Sequence, residues 1–155
     1  DPMVADSSTA PHFVYEDDPD LPGWKRWELG EAGRYNDFLG PLSVRMEGDV
    51  ARVRMVPQHC HSNVSNNLHG GVLLGFVDVA MFAASRGFEV LTAGAGVTLD
   101  VSVQFLAAGS VASPVEAHVE LLRETGRMLF LRGLVVQDST TIGNFSGTLR
   151  KLSPR

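Results

Sequence analysis

The chain has 155 residues, of which 44% are hydrophobic and 20% charged, a composition typical of one globular domain with a substantial core. A formal net charge of −5 excludes the face-wide basic surface that nucleic-acid binding needs, so no nucleic-acid partner is expected. The single cysteine, Cys60, cannot form an internal disulfide, which favours a reducing compartment, and we expect a cytoplasmic protein.

Residues 1–39 are predicted to form an irregular N-terminal arm, because prolines stand there among acidic and small residues. The first 20 residues lack the apolar run of a signal peptide. Aromatic residues then predict a short helix or turn docked on the domain: Trp24, Trp27, Tyr35 and Phe38. Residues 40–155 are predicted to form that domain. No stretch reaches the roughly 20 apolar residues of a membrane span, so no membrane partner is expected.

From Gly40 onward, alternation of apolar and polar residues predicts an antiparallel sheet. The segments 42–46 and 52–55 flank a Glu47-Gly48-Asp49 turn, which is typical of a hairpin with one buried face. A polar loop follows over residues 57–69. Later in the chain the same alternation predicts four more strands, near residues 97–105, 115–121, 128–136 and 141–152.

One long segment between these strands, Gly70 to Arg86, has the composition of a buried helix. It is too long for a strand, nearly apolar all round, and followed by Gly87, which is typical of a helix end. A helix that is apolar on every side must be enclosed, and an antiparallel sheet curled round it would enclose it. The sequence therefore predicts an α+β fold.

Asp78 is the single charged residue of this helix between Gly70 and Ser85. Its neighbours at helical spacing are apolar residues or glycine, so it belongs to no polar face. Burying a carboxylate without partners is strongly unfavourable. Two interpretations stay open: Asp78 satisfies nearby donors or lies at an interface edge, or it acts as a general base or nucleophile.

The dipeptide Gly70-Gly71 stands at the start of the predicted helix, where the first N–H groups favour developing negative charge. Gly70 and Asp78 are eight residues apart, about 12 Å along a helix axis, so one carbonyl group cannot touch both. If both act on one substrate, Asp78 comes from a second copy of the chain, and the protein is a two-fold dimer.

Five of these positions resemble the signature of the PaaI-like thioesterases, the phenylacetate-pathway branch of the hot-dog superfamily: Asn63, His69, Gly70, Gly71 and Asp78. The resemblance covers about residues 38–149. It implies the hot-dog fold, a curved antiparallel sheet wrapped round one long apolar helix. It also implies a homodimer or homotetramer with shared active sites.

The resemblance further implies an acyl-CoA thioesterase, which hydrolyses its substrate to a free acid and CoA and needs no cofactor beyond the CoA of the substrate. Asp78 would attack the carbonyl or activate water, and the Gly70 N–H would polarise the carbonyl. Asn63 would place the water or substrate, and His69 would hold the glycine turn. Thr98 matches a position where a hydroxyl group assists the water.

Three further residues are expected to contact substrate: Gly71, Asn67 and Arg127. Arg127 lies with Arg123 and Arg132 around a predicted hairpin turn. These arginines are either ordinary surface charges or the groups that meet the CoA phosphates.

Other functions remain as alternatives. A hot-dog hydratase or dehydratase would need a different arrangement of acid and histidine, whereas His69 belongs to the glycine turn. A non-catalytic acyl-CoA-binding or sensor protein of the same fold is the other alternative, because a degenerate enzyme still binds its ligand. The histidines near Cys60 match no zinc-binding spacing, so no metal is expected.

Overall fold

The structure, a computed structural model, describes residues 13–91 and 96–152 of the chain. Within these residues the elements follow in the order β1 (Phe13–Asp17), β2 (Lys25–Leu29), α1 (Tyr35–Leu39), β3 (Leu42–Glu47), β4 (Val50–Met55), α2 (Gly70–Gly87), β5 (Gly96–Phe105), β6 (Val115–Glu124), β7 (Met128–Gln137) and β8 (Thr140–Lys151). A single 3-10 turn, His59–His61, lies between β4 and α2.

The strands form one antiparallel sheet in the order β1-β2-β3-β4-β6-β7-β8-β5. Helix α2 packs against one face of this sheet and contacts β3, β4, β5, β6 and β8. The predicted α+β fold, with an antiparallel sheet wrapped round one long helix, is confirmed. Because β5 stands at one end of the strand order, the strand that follows α2 lies at a sheet edge.

The helix and the sheet share one apolar core. Along β4, Ala51, Val53 and Met55 are buried, and the intervening arginines point to the other face, as a strand period of two requires. Contrary to the expectation that no segment is long enough to span a membrane, helix α2 meets that criterion by length and composition, but 56% of it is buried inside the protein. It is therefore the core helix of this fold, over almost the length that the sequence predicts.

The N-terminal arm is more regular than the sequence predicts. Strands β1 and β2 form a hairpin, and β2 continues the sheet by pairing Trp27 with Leu42 of β3. Trp24 and Trp27 are buried, whereas Tyr35 and Phe38 remain half exposed on the short helix α1.

The expectation of irregular structure was wrong for β1 and β2, because five-residue strands joined through a proline-containing turn give little periodic signal. The boundary at residue 39 stays a prediction, and residues 1–12 lie outside the described residues.

An irregularity in β5 decides which of its side chains face the helix. Thr98 pairs with Leu149 and Asp100 pairs with Thr148, so Leu99 is an extra residue on β5. Such a bulge shifts the alternation of side chains beyond it. Asp100 consequently lies exposed, where it accepts a hydrogen bond of 3.2 Å from the Thr148 hydroxyl, while Thr98 faces α2.

Candidate active site

Asp78 lies partly buried on α2 and is held by a side chain of the sheet. The Thr98 hydroxyl donates a hydrogen bond of 2.5 Å to Oδ1 of Asp78. A hydrogen bond to one carboxylate oxygen fixes the orientation of the group. The isolated acid of the apolar helix is therefore an oriented carboxylate at the contact between α2 and β5.

The start of α2 is built around His69, which caps the helix. Its Nδ1 accepts a hydrogen bond of 2.8 Å from the Gly71 N–H, and its carbonyl oxygen accepts one of 3.0 Å from the Leu73 N–H. In the described part of the chain, no acceptor takes the N–H of Gly70, the first residue of the helix. An N–H at this end of a long helix is a suitable donor for an oxyanion.

The loop before the helix folds around the side chain of Asn63. Its Oδ1 accepts hydrogen bonds of 2.9 Å from the Ser65 N–H and 3.0 Å from the Asn67 N–H. Asn66 occupies the left-handed region, with φ of 59°, which asparagine tolerates well. Since Oδ1 is committed to the loop, the Nδ2 amide of Asn63 is the group left to bind a ligand.

A cavity of about 330 Å³ opens beside Gly70. Polar groups reach it from Asn63 and Asn67, and its apolar wall comes from Leu73 and the segment 105–109. The Phe105 ring is 3.6 Å from the position that a Cβ on Gly70 would take, so an aromatic ring stands directly beside the candidate oxyanion donor. The cavity combines polar donors with an apolar wall, as small-molecule binding sites commonly do.

A single chain thus holds two separate groups of predicted site residues. Asn63, Asn67 and Gly70 meet at the cavity, whereas Asp78 and Thr98 meet on α2 and β5 and do not line it. Gly70 and Asp78 lie on one uninterrupted helix, about 12 Å apart along its axis. One chain therefore does not bring its own carboxylate to its own Gly70 N–H.

Two residues expected to contact substrate, Gly71 and Arg127, do not offer a free group to the cavity. The N–H of Gly71 is already bonded to His69 and is not offered to a ligand in this conformation. Arg127 is exposed in the turn between β6 and β7, where its carbonyl oxygen accepts a hydrogen bond from the Lys151 N–H, and it does not line the cavity. The roles of both residues in binding substrate stay predictions.

Of the two histidines beside Cys60, His59 is exposed and His61 is held in structural contacts. His61 is buried, its Nε2 lies 2.7 Å from the Phe38 carbonyl oxygen, and its Nδ1 accepts a hydrogen bond of 2.9 Å from the Gln58 N–H. Cys60 is exposed. Over residues 13–91 and 96–152, no three His, Cys, Asp or Glu side chains are grouped so as to hold a metal ion.

Two residues of the site region were not found from the sequence. The alternation of β5 indicates only that Phe105 ends a strand, and it carries no sign that the ring stands beside Gly70. Tyr35 of α1 lies near Asp78: burial raises the pKa of its hydroxyl, and the negative charge of Asp78 raises it further. Neither contact leaves a pattern in the sequence, since both join residues distant along the chain.

Comparison with known proteins agrees with this architecture. The sequence model of the thioesterase superfamily matches residues 65–143, just over half of the chain, and the chain belongs to that superfamily. No curated protein sequence matches it. Among solved structures, a mutant of the phenylacetic acid degradation protein PaaI from Thermus thermophilus is 25% identical, with a TM-score of 0.62 over 75% of this chain and 96% of that one.

Two more distant structures share the fold. The PaaI protein of the E. coli phenylacetic acid degradation operon is 21% identical, with a TM-score of 0.64 over 76% of this chain and 83% of that one. The BH2602 protein of Bacillus halodurans, solved with CoA, is 20% identical, with a TM-score of 0.59 over 65% of this chain and 66% of that one. The resemblance to PaaI-like hot-dog thioesterases, predicted from the sequence, is confirmed.

Proposed function

We propose that the protein hydrolyses acyl-CoA thioesters to a free acid and CoA. The observation that carries this proposal is the oriented carboxylate of Asp78, held by Thr98 on the otherwise apolar core helix of a thioesterase-superfamily chain. Placing a charged side chain on the core helix costs desolvation free energy even when the group is only partly buried. A carboxylate that is partly buried and hydrogen-bonded is suited to act as a general base or a nucleophile.

The proposed reaction uses two groups in complementary roles. In one route Asp78 acts as a general base and removes a proton from the water molecule that attacks the thioester carbon. In the other route the Asp78 carboxylate attacks that carbon itself, and water later releases the acid from the enzyme. In either case negative charge develops on the carbonyl oxygen, and the Gly70 N–H at the start of α2 stabilises it. The C–S bond then breaks, and the CoA thiolate leaves and takes up a proton. These steps require no cofactor besides the CoA of the substrate.

The proposed active site is shared between two chains. A two-fold axis across α2 would set two copies of the helix antiparallel, so that Asp78 of one chain approaches Gly70 of the other. The position of β5 at the sheet edge supports this arrangement, because an edge strand offers unpaired backbone groups to a second chain. Val97 and Leu99 of β5 are 41% and 50% exposed, which supplies apolar surface for such a contact.

CoA is the proposed leaving group of the substrate. The structural neighbour from Bacillus halodurans was solved with CoA, which supports CoA recognition on this fold. In this chain Arg127 is exposed in the turn between β6 and β7, where it is the proposed partner of the CoA phosphates.

A panel of acyl-CoA esters, with the released thiol read by a colorimetric reagent, tests the proposal. Cys60 is exposed and would react with that reagent, so the assay uses a Cys60→Ser background. Release by this protein, and its loss in Asp78→Asn, is the expected result. Tight binding of acyl-CoA without release would instead identify a non-catalytic binding protein and overturn the proposal.

A further inference from the structure

We propose that Tyr35 is a positioning residue of the Asp78 site, whose hydroxyl donates a hydrogen bond to the water consumed in hydrolysis. This inference rests on the proposed thioesterase function and adds to it a residue from the N-terminal arm. Tyr35 lies on α1, outside the segment that the superfamily model matches. The hydroxyl keeps its proton throughout, so the step that it supports is only the placement of the water.

The first observation is the close approach of Tyr35 to α2. A Cβ built on Gly75 would overlap the Tyr35 hydroxyl oxygen and lie 2.9 Å from Cζ, so a larger residue at position 75 would force this tyrosine to move. Gly75 lies in the interior of the helix, where glycine is less favourable than alanine. The helix therefore carries an unfavourable residue where the tyrosine hydroxyl rests.

The second observation is the position of Gly75 relative to Asp78. Residues three apart on a helix lie on the same face, about 4.5 Å apart along the axis. The Tyr35 hydroxyl therefore rests on the face of α2 that carries Asp78, displaced toward the Gly70 end of the helix.

The third observation concerns the charge and the donors around Asp78. The Asp78 carboxylate raises the pKa of the Tyr35 hydroxyl, after the larger effect of burial, so the two groups lie within electrostatic reach. Among the described residues, Asp78 accepts its hydrogen bond from Thr98 at Oδ1. A water bound between Oδ2 and the tyrosine hydroxyl would have both an acceptor for its proton and a donor to fix its lone pair.

Kinetics of Tyr35→Phe test the role of the hydroxyl, since this change keeps the ring and its contact with Phe38. We expect kcat to fall about tenfold with KM nearly unchanged, because one positioning hydrogen bond is lost while acyl and CoA contacts remain. Tyr15→Phe is the matched control. The chain has two tyrosines, and Tyr15 packs between Lys25 and Arg86, away from Asp78, so its kcat should equal that of the parent protein.

A titration that requires no turnover tests the same contact. In the Tyr15→Phe background Tyr35 is the sole tyrosine, and its ionisation is read from ultraviolet absorbance. Adding Asp78→Asn removes a negative charge and should lower the pKa of Tyr35. The proposal is overturned if the pKa of Tyr35 does not move. It is also overturned if the parent protein is active and Tyr35→Phe has the same kcat. A parent protein that hydrolyses no thioester contradicts the proposed function instead, and the titration separates the two failures.

Discussion

The Thr98 hydroxyl donates a hydrogen bond to the Asp78 carboxylate and so joins strand β5 to the core helix α2 through two side chains. The bulge at Leu99 places this threonine toward the helix and turns the next acid, Asp100, to the surface. The negative charge of Asp100 on β5 is therefore kept away from the Asp78 carboxylate, which faces the proposed reaction alone. The proposed chemistry depends on this pair.

Replacing Thr98 tests the pair directly. Thr98→Val keeps the shape of the side chain and removes its donor, so we expect the hydrolysis rate to fall about tenfold through loss of one charge-assisted hydrogen bond. Thr98→Ser restores the hydroxyl and should recover most of the rate. Steady-state kinetics on one acyl-CoA measure both, and equal rates for the valine and serine variants would remove the hydroxyl from the mechanism.

Asp78→Asn should leave the protein folded and lower kcat by about 10² to 10⁴, the usual effect of losing a catalytic base. The amide is nearly isosteric with the carboxylate, and Oδ1 still accepts the Thr98 hydrogen bond. Circular dichroism checks the fold, and single-turnover thiol release checks the chemistry. Turnover close to that of the parent protein would exclude Asp78 as the base or nucleophile.

Asn63 is expected to contribute less to the rate than Asp78, because it positions the substrate or water and does not take part in proton transfer. Asn63→Ala should also destabilise the loop, since its Oδ1 accepts two backbone hydrogen bonds there. Asn63→Asp keeps that acceptor and loses the Nδ2 donor, so it separates the two roles. A loss of rate in Asn63→Ala as large as that of Asp78→Asn would contradict this division.

The ion pair between β4 and β6 predicts a pH dependence of stability. Arg52 binds Glu116 through two hydrogen bonds, of 2.7 and 3.0 Å, and His118 lies 3.0 Å from the same carboxylate. Burial raises the pKa of Glu116, but the hydrogen bonds and charges of Arg52 and His118 outweigh it and hold the pKa below its ordinary value of 4.5. A lowered folded-state pKa stabilises the protein above pH 4.5, and this contribution disappears as the pH falls further.

Glu116→Gln should therefore lower the free energy of unfolding at pH 7 by about 1 kcal/mol, a modest value because the pair is partly screened by solvent. The difference from the parent protein should shrink as the pH falls below 4.5. Urea unfolding at pH 7 and pH 3 measures it. Glu120→Gln is the control, since its pair with Arg132 is more exposed and should contribute less. If the free energies of unfolding of Glu116→Gln and the parent protein differ by the same amount at both pH values, the Glu116 ion pair is not the source of the pH dependence.

Much of the fold could be predicted from the sequence, because binary pattern and helix length are local properties. The alternation of β3 to β8 and the apolar run of α2 indicated these elements nearly at their observed bounds. The isolated charge of Asp78 also stood out from the sequence alone. Strands β1 and β2 were missed, because each has five residues and a turn containing Pro19 and Pro22 separates them.

The surroundings of the site could not be predicted in the same way. That Thr98 meets Asp78 depends on the register of β5 and its bulge, which alternation does not reveal. The contact of Tyr35 with Gly75 joins an exposed short helix to the core helix, and a glycine in a helix has several explanations until its neighbour is known. Similarly, Phe105 becomes part of the cavity only when the end of β5 is placed beside Gly70.

In the proposed shared site Asp78 of one chain acts with Gly70 of another, and two inactive variants test this arrangement. Gly70→Pro deletes the proposed oxyanion donor. Proline is well tolerated as the first residue of a helix, and His69 already has the φ of −65° and ψ of 134° that suit a residue before proline. A Cβ at position 70 makes only ordinary contact with Phe105, so this variant is expected to fold.

The most direct measurement is the thioesterase activity of Gly70→Pro and Asp78→Asn chains after they are mixed, unfolded and refolded together. A heterodimer joins the intact Asp78 of the first chain to the intact Gly70 of the second and regains one of its two sites. Because random mixing makes half of the dimers heterodimers, about one quarter of the parent activity should return. Subunit exchange demonstrated by mass, with no recovered activity while the parent protein is active, would show that the site lies within a single chain.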